Sequence, residues 1–169
     1  MGFTSRRWKA LATALAAVLC VALSPAAALA VTDPNQTRES YAARVEPICK
    51  TSAKASERIL AGVRREIKQG KLKLAAARFK QSAAAFGRAV DQIAAVPQPP
   101  ADQAKLTKWL GALGDEQALL SEIGVALKAD RKVRAERLSV RLNHNGRVAN
   151  LDALGFEFGY CLINASRFS

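Results

Sequence analysis

A single histidine, His144, and a single methionine at position 1 leave this 169-residue chain poorly supplied for metal or haem chemistry. A di-iron centre in a helical protein needs a Glu-x-x-His motif on each of two helices, and one histidine cannot supply both. Haem attachment through Cys-x-x-Cys-His has no counterpart either, and no methionine beyond Met1 could serve as an axial ligand. A nucleophile elbow, a phosphate-binding loop and a dinucleotide fingerprint are all missing. The expectation is no metal, no cofactor and no catalytic constellation. Aromatic residues are few (6%), and Phe79 is the one aromatic within the basic stretches. Stacking platforms for single-stranded nucleic acid are therefore missing, and nucleic acid is not an expected partner. No stretch reads as a β-strand, because apolar residues recur at steps of three and four.

What is present begins with a leader. Arg6, Arg7 and Lys9 form a positive start, Ala10 to Leu23 is uninterrupted and apolar, and Ser24-Pro25 breaks it. Ala28-Leu29-Ala30 places small residues at the −3 and −1 positions of a cleavage site. Residues 1–30 thus read as a signal peptide and 31–169 as a single domain in a secreted or extracytoplasmic envelope protein. An uncleaved anchor is the alternative, although the apolar stretch falls short of the ~20 residues a span needs. Cys20 follows Val18-Leu19 rather than a small residue, so it belongs to the leader and not to a lipid anchor.

Beyond the leader two cysteines remain, Cys49 and Cys161. In an exported chain two cysteines pair readily, with two free buried thiols as the alternative. A nucleophilic cysteine would need a neighbouring base, which one histidine makes a poor prospect.

Four helical segments follow. The first, 37–69, carries Tyr41, Val45, Ile48, Ser52, Ser56, Ile59, Leu60, Val63 and Ile67 on one side. Pro47 within it predicts a kink or a late start, and Gly70 a stop. The second, Leu72 to Val96, has the clearest register: Leu72, Ala76, Phe79, Ala83, Phe86, Val90 and Ile93. Pro97-Gln98-Pro99-Pro100 ends it. In the third, 101–129, the stripe is Leu106, Leu110, Leu113, Gln117, Leu120 and Leu127, with Trp109 and Ile123 beside it. Gly111, Gly114 and Gly124 weaken this helix by about 1 kcal/mol each unless close packing requires them. The fourth runs from an N-cap at Asp130 to about Leu162, with Val140, His144, Val148, Leu151, Leu154, Phe158 and Cys161 on its inner face. Four long helices with short connections predict an all-α, up-down-up-down four-helix bundle. In that bundle Cys49 and Cys161 meet at one end, so topology and disulfide predict each other.

Charge is distributed unevenly. Counted from Val31 the chain holds 23 basic and 14 acidic residues. Positions 58–80 carry eight cations against Glu66, and 128–141 carry six against Asp130 and Glu136. Both stretches straddle helix–helix turns at the end away from the disulfide. Solvated helix ends give one reading of such runs. The functional reading is an anion-binding basic cap of Arg64, Arg65, Lys68, Lys71, Arg131, Lys132 and Arg134, docking on envelope polymer or lipid head groups.

His144 lies between Asn143 and Asn145 on the expected inner face. Matching helix levels brings it near Glu66 and Gln117, in a polar layer that holds a small ligand; the alternatives are a buried polar group satisfied by its neighbours or a partly exposed histidine near the bundle top.

Tyr41-Ala-Ala-Arg-Val-Glu-Pro-Ile-Cys49, Val96-Pro97 with its proline-rich turn, Lys105-Leu-Thr-Lys-Trp-Leu110 and Phe156-Glu-Phe-Gly-Tyr-Cys161 together resemble a group of uncharacterised exported helical proteins of high-GC Gram-positive bacteria. The resemblance spans nearly all of the chain beyond the leader. It implies export and paired cysteines and brings no activity, ligand or catalytic residue. The expected function is an exported, non-enzymatic binding module acting through the basic cap, with a small-ligand carrier or sensor using the interior near His144 as the alternative.

Overall fold

Thr37 opens the first helix with a reciprocal cap. Its hydroxyl accepts the Ser40 backbone N–H at 3.2 Å, and the Ser40 hydroxyl accepts the Thr37 N–H at 3.1 Å. The computed structural model describes residues 33–163, so the leader expected over 1–30 and its anchor alternative lie outside the described residues. Helix α1 spans Arg38–Leu60 and contains Pro47 within it rather than starting after it. At Gly62 the chain takes a positive φ of 78°, and a short helix α2, Val63–Lys68, follows. The single first rod expected from the sequence is therefore two helices, because Gly62 enters a conformation a helix interior excludes. Gly70, φ 73°, ends α2 as expected: its N–H reaches the Ile67 carbonyl and the Lys71 N–H the Glu66 carbonyl.

Helix α3 is Leu72–Ala94, a 3-10 turn covers Pro100–Asp102, and α4 is Gln103–Lys128. Asp130 does not cap the next helix. It adopts φ 54° and closes α4 instead, with the Arg131 N–H on the Ala126 carbonyl and its own N–H on the Leu127 carbonyl. Helix α5 spans Lys132–Asp152. It stops ten residues short of the expected Leu162, because Gly155 (φ 89°) and Glu157 (φ 54°) turn the chain out of helical geometry. Residues 153–163 form an irregular strap. The described residues are all-helical apart from turns and this strap, and no helix among them is long and apolar enough to cross a membrane.

Helix α3 packs against α1, α2 and α4, and α4 packs against α5. A Cβ on Gly124 of α4 would sit 3.1 Å from the Ala76 carbonyl of α3, so close packing accounts for that glycine. Around Gly111 and Gly114 there is open space, and packing requires neither.

The core is divided into two clusters. One gathers Tyr41, Val45, Cys49, Ile93, Trp109 and Ala149 with Phe156, Phe158 and Cys161 of the strap. The other gathers Leu60, Val63, Leu72, Phe79, Ile123, Leu127 and Leu138.

Helix α5 overturns its expected register. Val140 is 65% exposed and Leu151 64%, while His144, Val148 and Leu154 are also on the surface. The buried side consists of Ala135, Leu138, Gly146 and Ala149, with Leu142 and Asn145 half-buried. Small residues let α5 lie close to its neighbours: a Cβ on Gly146 would come 2.8 Å from Ile163 Cγ2 of the strap. Close approach at these positions outweighs the larger residues on the opposite side.

Candidate functional site

Cys49 and Cys161 form the expected disulfide, 112 positions apart in the chain. The bond does not act alone. Glu46, one turn before Cys49, accepts backbone N–H groups from Gly159 (2.9 Å), Tyr160 (3.0 Å) and Cys161 (3.2 Å). Asn150 of α5 grips the end of the strap, its Oδ1 accepting the Ile163 N–H at 2.7 Å and its Nδ2 donating to the Ile163 carbonyl at 2.9 Å. Phe156 meets Tyr41 edge-on at 5.9 Å and stacks on Phe158 at 5.3 Å, which in turn stacks on Trp109 at 5.2 Å. These contacts tie the strap to α1, α4 and α5. At the same end the Arg38 guanidinium donates twice to Asp102, at 2.6 and 3.0 Å, and lies 5.3 Å above the Phe156 ring.

The seven basic-cap residues all reach the surface. Arg64, Arg65 and Lys68 lie on α2 and Lys71 in the α2–α3 turn, while Arg131, Lys132 and Arg134 lie at the start of α5. Both turns border the core cluster that contains Leu72, Ile123 and Leu127, whereas the disulfide belongs to the other cluster. Arg134 has an acidic neighbour, Glu122, at 3.8 Å; both groups are well exposed, so the pair adds little to stability.

The expected polar layer of His144, Glu66 and Gln117 does not assemble. Glu66 is buried against α3, where its Oε1 pairs with Arg78 at 2.9 Å. Arg78 also donates to the Ile59 carbonyl at 2.9 Å, so this pair stitches α3 to the α1–α2 junction. Gln117 lies half-buried over Gly87, where its amide occupies the space a Cβ would fill. His144 sits in an open groove between α4 and α5 with Asp115, Glu122, Arg141 and Arg147. The three residues fall apart because α5 turns His144 outward, while Glu66 and Gln117 settle at Arg78 and Gly87, well separated along α3.

A different polar layer takes its place. Ser56 of α1, Ser82 of α3 and Glu116 of α4 are all buried. They line one cavity of about 80 Å³ that draws its wall from both core clusters and from Tyr160 and Leu162 of the strap. Burial, with no charge to offset it, pushes the Glu116 carboxyl up to about 8. The signal for this layer is present in the heptad columns. Glu116 stands seven residues from both Trp109 and Ile123, Ser82 seven from Ala75 and Ala89, and Ser56 seven from Cys49 and Val63. A polar residue midway along three apolar columns marks a layer that a reading guided by the histidine passes over.

Comparison with protein-family models, with curated proteins and with solved structures finds no match to this chain.

Proposed function

We propose that the chain is an exported, non-enzymatic binding module whose basic cap docks on anionic envelope material. The observation that carries this reading is the shared location of the two basic turns. Seven exposed cations border one core cluster while the disulfide and the strap consolidate the other. Such a lopsided charge distribution draws the basic end toward a polyanion and orients the molecule as it approaches. The same reading takes α1 with α2, α3, α4 and α5 as the four rods of an up-down-up-down bundle. It is supported by α3 and α4, whose close approaches at Ala76–Gly124 and Gly87–Gln117 run in opposite chain directions. Export is supported by the leader and by the paired cysteines.

The exposed stripe on α5 favours a lipid surface over a soluble polymer. Val133, Val140 and Leu151 face solvent with Arg137 and Arg147 interleaved, an apolar strip among cations that suits the head-group region.

The test is retention of the protein from position 31 onward on vesicles containing phosphatidylglycerol and on polyphosphate resin, each at low and high salt. Retention on both is expected to fall with salt, and to fall further for Arg64→Glu with Arg65→Glu. Val140→Ser with Leu151→Ser is expected to weaken vesicle binding and leave the resin unaffected. Retention insensitive to salt and to charge reversal would remove the cap from the account.

A further inference from the structure

The cavity between the two core clusters is not explained by surface docking. Its wall is mostly apolar, with Leu60, Phe86, Val90, Leu113 and Leu120 among the contributors. A gap that stays empty is lined by apolar groups alone, whereas a polar one holds water or a ligand. This cavity holds three buried polar atoms without partners: Glu116 Oε2, Ser82 Oγ and Trp109 Nε1. Each unsatisfied buried group costs about 1–3 kcal/mol. Retaining all three in one cavity is the pattern of a site that expects an occupant.

Size and shape narrow the occupant. About 80 Å³ is several times the roughly 10–15 Å³ that one water requires. The lining extends from Leu60 and Leu120 at one end to Trp109 and Cys49 at the other, so the space is elongated. Its lining includes exposed Tyr160 and Leu162 of the strap and half-buried Ser52 and Ala53 of α1.

Chemistry narrows it further. Trp109 Nε1 can only donate, while the Ser82 hydroxyl both donates and accepts. Glu116 is the one carboxylate among the described residues of the lining, and burial holds its carboxyl in the neutral form at neutral pH, in which it also donates and accepts. An uncharged oxygen head group matches these partners without bringing an uncompensated charge into an apolar cavity.

We propose that this cavity is a binding site for a small, slender apolar molecule bearing an uncharged hydroxyl or carbonyl oxygen, with that oxygen held at Glu116 and Ser82. The apolar body extends along the cavity toward Leu60 and Leu120, away from the Trp109 N–H, and the strap forms one wall. The site is independent of the basic cap, and either proposal can fail without the other.

The experiment titrates the full chain with 1-hexanol, hexylamine and hexanoate by calorimetry near pH 6.5, alongside Glu116→Leu, Glu116→Gln and Ser82→Ala. Saturable binding of one hexanol per chain is expected. Glu116→Leu, which fills the space and removes the hydrogen bond, should weaken it at least about tenfold, and Glu116→Gln should hold it within about threefold. Ser82→Ala removes one hydroxyl without adding bulk and keeps the test readable should the leucine disturb folding; a loss of about threefold or more is expected. No saturable hexanol binding means a water-filled cavity only and overturns the proposal. Hexanol binding unchanged in both Glu116→Leu and Ser82→Ala overturns the location, and tighter binding of hexylamine or hexanoate overturns the uncharged head group.

Discussion

Helices α3 and α5 are similar in length, yet only one wears its inner face openly. In α3 every residue of the expected stripe, from Leu72 to Ile93, is buried or half-buried. Of the stripe expected for the last segment, the members that lie on α5, Val140, His144, Val148 and Leu151, are exposed, while Phe158 and Cys161 are buried in the strap. The difference lies in what competes with the stripe. Outside its stripe α3 is mostly small or polar, so size and hydrophobicity point the same way. Helix α5 has two apolar faces, one of Val and Leu with arginines between them, and one of Ala135, Leu138, Gly146 and Ala149. The smaller face wins because it permits close approach to α4 and leaves room for Ile163 of the strap. A residue count favours the wrong face when the helix must fit under a strap.

The comparison can be broken most decisively by truncation. Phe79→Ala in α3 should lower stability by about 3–5 kcal/mol in denaturant unfolding, because a buried aromatic leaves a cavity. If Val140→Ala in α5 costs as much, the assignment of the outer face is wrong; a change within about 0.5 kcal/mol is expected.

Next in size is the strap. Cys49→Ser with Cys161→Ser should cost about 2–4 kcal/mol, since a cross-link between such distant positions restricts the unfolded chain strongly. Proteolysis should then begin within 153–163, while α3 stays protected. Equal protection of strap and helix in the variant would show that Glu46 and Asn150 hold the strap without the bond.

Glu116 sharpens the contrast between the two core clusters and the layer dividing them. Its folded-state carboxyl is raised from 4.5 to about 8. The folded protein therefore binds more protons than the unfolded chain between those values. The stability this group contributes is present in full below about pH 4.5 and is lost as pH rises to about 8. Thermal unfolding across this window should show the decline, and Glu116→Gln should flatten it.

The smallest effects separate the glycines of α4. Gly111→Ala, with open space around it, should raise stability by about 0.5–1 kcal/mol. Gly124→Ala should lower it, because the new methyl meets the Ala76 carbonyl.

Much of this was legible in the residues themselves. The three- and four-residue spacing specifies helices, and a single strong stripe specifies which way α3 faces, because both follow from local geometry. Gly70 and the proline-rich turn mark stops through their own backbone limits. Two cysteines beyond a stretch that reads as an export leader point to the disulfide, and the clustering of cations beside two turns requires no coordinates. Tertiary packing decided the rest. Whether Asp130 caps α5 or closes α4, which face of α5 is buried, and where the chain leaves the last helix all depend on partners distant in sequence. The same is true of the polar layer. Ser56, Ser82 and Glu116 are ordinary residues in their own helices, and only the alignment of three helices buries them together at one cavity, where an unpaired oxygen becomes costly.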